Sequence, residues 1–89
     1  MIEERLRMLV RHIGATRLAE VTAIKERQRW QTVATNRKVK ARVEDLEELL
    51  QAFPQYELWL LKGETDLEKG QVSPDYGEAH SSLATPNAG

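Results

Sequence analysis

Lys25, Arg27, Gln28, Arg29 and Gln31 crowd into one short stretch of the chain. These side chains can read the edges of bases. Arginine pairs two ways with guanine and glutamine two ways with adenine. Asn36, Arg37, Lys38 and Lys40 follow at once, with donors suited to phosphate. Residues 25–42 hold seven basic side chains and one acid, whereas residues 43–89 hold ten acids and two lysines. A net charge of −1 thus conceals a basic middle and an acidic end. Such asymmetry points to a polyanion-binding surface, although a merely solvated basic loop would carry the same charges.

Other chemistries find little support. There is no cysteine, so neither disulfides nor thiolate metal sites can form. His12 and His80 have no partner at ligand spacing, so no metal site is expected. The five glycines are scattered and build no phosphate loop. Ser81 and Ser82 lack a histidine–acid pattern, and 89 residues leave little room for a catalytic cleft. No enzyme activity, cofactor or small-molecule ligand is expected. The longest apolar run, Leu58 to Leu61, cannot span a bilayer. The start, Met-Ile-Glu-Glu-Arg, has no secretory pattern, and a cytoplasmic location is the expectation.

The elements that must position these side chains read as helices. Ile2, Leu6, Leu9, Val10 and Ile13 lie on one helical face, and Gly14 is a stop. Thr16 serves as an N-cap for a short helix to about Ala23, with Leu18, Ala19 and Val21. Ile24 reads as a buried turn residue. A second short helix, about 26–35, turns Trp30, Val33 and Ala34 inward, and Asn36 can end it in the left-handed conformation. Val43, Leu46, Leu49, Leu50 and Phe53 give a fourth helix. Its acids Glu44, Asp45, Glu47 and Glu48 read as a solvated face, the first two near the positive helix end. Pro54 opens a fifth helix through Leu58–Leu61, stopped by Lys62 and Gly63. Both tryptophans, Trp30 and Trp59, read as core, and Tyr56 as packed with its hydroxyl near the surface. The division expected is 1–63 as a helical domain and 64–89 as an acidic, partly ordered tail. Ser73-Pro74-Asp75 can cap one more helix through Tyr76, Ala79 and Leu83, with Thr85 to Gly89 loose. There is no internal repeat and no strand with convincing alternation.

Two short helices joined by a tight turn, under a basic stretch, are the pattern of a helix-turn-helix. Its second helix enters the major groove. Leu18-Ala19-Glu20-Val21-Thr22-Ala23-Ile24 followed by Arg29-Trp30-Gln31-Thr32-Val33 resembles the Xre/Cro-type regulators of bacteria and their phages. Phe53-Pro54-Gln55-Tyr56-Glu57-Leu58-Trp59-Leu60, with Gly63-Glu64 beyond, and Gly70-Gln71-Val72-Ser73-Pro74 resemble a small phage-related branch with FPxYxxWL and GQxSP segments. The likeness covers most of residues 5–76. It departs at Ala23, where the turn glycine is usual, at Thr22, where an aliphatic is usual, and in a turn about one residue longer. The resemblance implies an all-α, five-helix, lambda-repressor-like bundle with a C-terminal extension.

From charge and resemblance together, Arg27, Gln28, Arg29 and Gln31 are the expected base contacts. Thr16, Arg17, Lys25, Asn36, Arg37, Lys38 and Lys40 are the expected phosphate contacts. The function implied is a sequence-specific, repressor-type regulator that binds double-stranded DNA as a homodimer. The alternative is a protein-interaction module of the same fold, an antirepressor or antitoxin-like partner, with an acidic half that mimics DNA.

Overall fold

A computed structural model describes residues 2–75. The helix bundle consists of α1 (Ile2–Ile13), α2 (Ala15–Val21), α3 (Arg27–Thr35), α4 (Val43–Ala52) and α5 (Glu57–Lys62). Short 3-10 turns occur at Pro54–Tyr56 and Leu67–Lys69. Among the described residues no strand forms, only an isolated antiparallel bridge between Asp66 and Gln71. The protein is an all-α helix-turn-helix bundle.

α1 is the central post, because its spacing puts Leu6, Leu9 and Val10 on one buried face. With these, Leu18 of α2, Trp30, Val33 and Ala34 of α3, Leu49 of α4, and Tyr56 and Leu60 form one core cluster. Leu6, Leu9, Leu18, Trp30, Leu49 and Leu60 lose all contact with solvent. Trp59 is half-buried against this cluster. Tyr56 is buried, and that burial raises its phenol above the ordinary tyrosine value.

Two of the three arginines of α1, Arg5 and Arg11, close the ends of other helices. Arg5 donates from Nε to the Leu60 carbonyl at 2.8 Å and from Nη2 to Leu61 at 3.2 Å. Arg11 Nε donates to the Ala34 carbonyl at 3.1 Å. Terminal carbonyls lack partners within their own helix, and a cation there also opposes the negative helix end. α5 ends at Gly63 with φ 71°, a left-handed cap.

Local structure departs from the sequence reading at four places. The cap of α2 is Gly14, at φ 100° and ψ 137°, so Thr16 lies inside the first turn and its hydroxyl serves elsewhere. An L side chain rarely adopts that φ, which makes the sharp α1–α2 corner a glycine position. Asn36 is extended (φ −100°), not left-handed; its carboxamide oxygen instead accepts the Lys38 N–H at 3.0 Å. Val43, read as core, is 70% exposed at the first position of α4. Asp45, read as solvated, is fully buried. The inward stripe of α4 therefore runs through Asp45 and Leu49. Helical periodicity cannot find that phase, since a carboxylate occupies a core position only where a cation meets it.

Residues 66–74 fold back onto the start of α5. Gln71 accepts the Leu58 N–H at 2.9 Å and donates to the Pro54 carbonyl at 3.0 Å. The Val72 N–H meets the Gln55 carbonyl at 2.9 Å, Val72 packs against the core, and Pro74 is buried. Pro74 and Asp75 are helical. The expected continuation through Tyr76, Ala79 and Leu83, and the loose end from Thr85, lie outside the described residues.

Candidate nucleic-acid interface

α2 and α3 meet through residues 22–26, a turn tied down from three sides. Inside it, the buried Thr22 hydroxyl donates to the Leu18 carbonyl at 2.6 Å. The Ile24 side chain is buried, and its carbonyl accepts the Trp30 indole N–H at 3.1 Å. That bond satisfies the one polar atom of a fully buried tryptophan and joins the turn to α3. From below, the Glu48 carboxylate of α4 accepts the Ala23 N–H at 2.7 Å. At Thr22 and Ala23, polar bonds close the turn.

α3 itself is anchored by Arg29. Its Nε donates to Asp45 Oδ1 at 3.2 Å and its Nη2 to Oδ2 of the same carboxylate. Asp45 also accepts the Arg42 N–H at 2.8 Å, and the Arg42 guanidinium stands 3.7 Å away. Burial on its own would raise the Asp45 carboxyl. The Arg29 hydrogen bonds, the Arg42 N–H and both positive charges outweigh it and hold the carboxyl below its usual range. The same hydrogen bonds raise Arg29, so the pair is ionised at neutral pH.

Around this frame the other expected site residues take distinct places. Gln28 is exposed at the start of α3. Gln31 and Thr32 are half-buried, one turn on. Arg27 is exposed but leans onto α2, its Nε donating to the Thr16 hydroxyl at 3.0 Å. Lys25 reaches back to the Glu20 carbonyl at 3.2 Å. Arg17, Asn36, Arg37, Lys38 and Lys40 are exposed, and Arg37 lies 3.8 Å from Glu4. Arg29 is the member of the group whose guanidinium is drawn inward, away from the open side of α3. Arg42, counted in the basic stretch but not among the expected contacts, is exposed at the entry to α4, beside the basic loop.

Asp45 and Glu48 were also missed. The available signal was their three-residue separation on α4, with Asp45 four residues before the core residue Leu49. Only the packing of α4 under the turn turns that spacing into two carboxylates aimed at the α2–α3 unit.

The open side of α3 therefore presents amides, hydroxyls and Arg27, flanked by the basic loop. This arrangement has hydrogen-bonding chemistry and no assembled reactive group. No set of metal-ligating side chains occurs among the described residues. A groove of about 530 Å³ lies along Leu58, Leu61, Lys62 and Lys69, on elements other than α2 and α3. Among the described residues no helix is long and apolar enough to cross a membrane.

No family model matches the chain, and no curated protein matches it. Among solved structures the chain is similar to Pf6r from the filamentous phage Pf6 of Pseudomonas aeruginosa PA01. The two share 41% identity with a TM-score of 0.75, over 85% of this chain and 97% of that one. Identity at that level across nearly the whole of the phage protein reflects common descent as well as a common fold, and the chain belongs to the same phage-related family as Pf6r.

Proposed function

We propose that this protein is a sequence-specific DNA-binding regulator of the Xre/Cro type, acting as a homodimer in the cytoplasm and not as an enzyme. The observation that carries the reading is the open side of α3. Gln28 is exposed there, Gln31 and Thr32 stand one turn further, and Arg37, Lys38 and Lys40 are exposed just beyond. One α-helix fits the major groove, where amides and guanidinium groups meet base edges. Flanking cations meet phosphates and set the register. In this reading Gln28, Gln31 and Arg27 contact bases. Arg17, Lys25, Arg37, Lys38 and Lys40 contact the backbone, with Thr16 and Asn36 as polar neighbours. Arg29 acts from behind. Kinship with a phage protein agrees with such a regulator.

A single helix reads only a few base pairs, so useful specificity calls for two copies on a partly palindromic site. The test is selection of bound sequences from a randomised duplex pool, with binding measured at several salt concentrations. An inverted repeat should be recovered, and affinity should fall steeply with salt. Failure to bind any duplex at low salt would overturn the reading and favour a protein-binding module of the same fold.

A further inference from the structure

We infer that Asp45 and Glu48 of α4 are positioning residues for sequence readout: they set the pose of α3 without touching DNA. The inference rests on the DNA-binding reading above. Asp45 holds Arg29 through both carboxylate oxygens, and it is itself fully buried. Glu48, one turn along, holds the Ala23 N–H at the turn that launches α3. One element thus grips the recognition unit at its turn and again at the first turn of α3.

Apolar packing alone would leave the pose loose. The inward side of α3 is Trp30, Val33 and Ala34. Such contacts have no directionality and tolerate small rotations about the helix axis. A rotation of about 15° moves a side chain at a helix's outer radius by on the order of 1.5 Å. Productive hydrogen-bond constellations tolerate only about 0.5 Å and 10–20°. A bidentate guanidinium–carboxylate pair is directional in both distance and plane, and so fixes that rotation. The Arg29 charge is neutralised by Asp45, so it adds little to the phosphate-facing field. Arg29 is thus a link between α4 and α3, and the base contacts are left to its neighbours on the open side.

The inference separates from a purely structural role by what it does to sequence preference. A lost base contact relaxes preference at one base pair, and a lost phosphate contact lowers all affinities and reduces the salt slope by about one unit. A lost pose should weaken preference at every position of the half-site without reducing the salt slope.

The test uses Asp45→Asn and Glu48→Gln beside Gln28→Ala. Each is checked by circular dichroism and assayed well below its melting temperature on the selected duplex, on random duplex and by reselection from a random pool. Asp45→Asn should lower the selected-to-random affinity ratio about tenfold, flatten preference across the half-site and, because Arg29 is no longer neutralised, keep or steepen the salt slope. Glu48→Gln, which weakens one exposed bond, should do the same to a lesser degree and serves if Asp45→Asn does not fold. Gln28→Ala should change preference at one base pair only.

Three outcomes overturn the inference. The first is an unchanged ratio despite a lower melting temperature, which makes the contacts merely structural. The second is a change at one base pair, which means Arg29, released or not, reads a base. The third is a reduced salt slope, which makes the α4 contacts part of a phosphate site. If the wild-type protein binds no duplex at all, the DNA reading itself falls first, and that result is distinct from these three.

Discussion

Trp30 joins the two halves of this molecule at the scale of one side chain. It is fully buried, and its indole N–H closes the turn onto the Ile24 carbonyl. Trp30→Ala should lower stability by about 3–5 kcal/mol, enough to unfold much of a small domain. Urea denaturation checks this, and near-wild-type stability would mean the packing of α3 is misread. Asp45 gives a pH prediction. Its folded carboxyl is lowered, so its contribution is present above the usual carboxylate range and lost as pH falls through the lower folded value. Wild-type stability should therefore decline below about pH 4. Asp45→Asn should be less stable at pH 7, where loss of a charged hydrogen-bond partner at this part-buried site costs about 1–3 kcal/mol. It should also lose less on going from pH 5 to pH 2. Denaturant midpoints for both proteins across that range provide the measurement, and parallel curves would refute the assignment.

Between elements, the division is between α3 and the loop that follows it. Gln28 stands on the open side of the helix, while Lys38 is exposed in the loop beyond Asn36. Base edges differ from site to site and phosphates do not. Gln28→Ala should weaken the selected site by about 1–3 kcal/mol and spare random DNA. Lys38→Ala should weaken both alike and reduce the salt slope by about one unit. The reverse result would move recognition into the loop. A second element-scale prediction concerns Gln71, which bonds both the Leu58 N–H and the Pro54 carbonyl. Gln71→Ala should cost about 0.5–1.5 kcal/mol, because it removes two hydrogen bonds at the start of α5 that lie at or near the surface. Unchanged thermal melting would show that water replaces the amide at no cost.

For the whole molecule, the basic stretch and the acidic remainder are not two separate bodies. α4, the most acidic helix, lies under the basic turn and helix and directs two of its carboxylates at them. On the DNA reading, two copies should bind half-sites centred about 10 base pairs apart or a multiple of it. Sedimentation of the free protein and of its duplex complex tests this, and a strict monomer in both would reject it. A chain ending at Gly70 should keep its helices, since the core residues lie before it. It should melt at lower temperature, because the Gln71 and Val72 contacts are gone. Circular dichroism showing an unfolded chain would mean the fold depends on the residues after Gly70 for more than these contacts.

Much of this was written in local pattern. The faces of α1 and α3, the glycine stops and the breaking effect of Pro54 follow from periodicity and backbone chemistry, which neighbouring residues carry by themselves. The inward Trp30 and the buried Ile24 were legible for the same reason. The phase of α4 was not: Val43 looked like core and Asp45 like surface, because apolar spacing ranks residues by hydrophobicity and cannot see a partner 16 positions away. Nor could spacing reveal that Thr16 holds Arg27, or that Gln71 bridges the start of α5. Each of these is a pairing between distant segments. A buried charge or amide is tolerable only when its partner is in place, and only the packing of α4 and the returning chain brings those partners into reach.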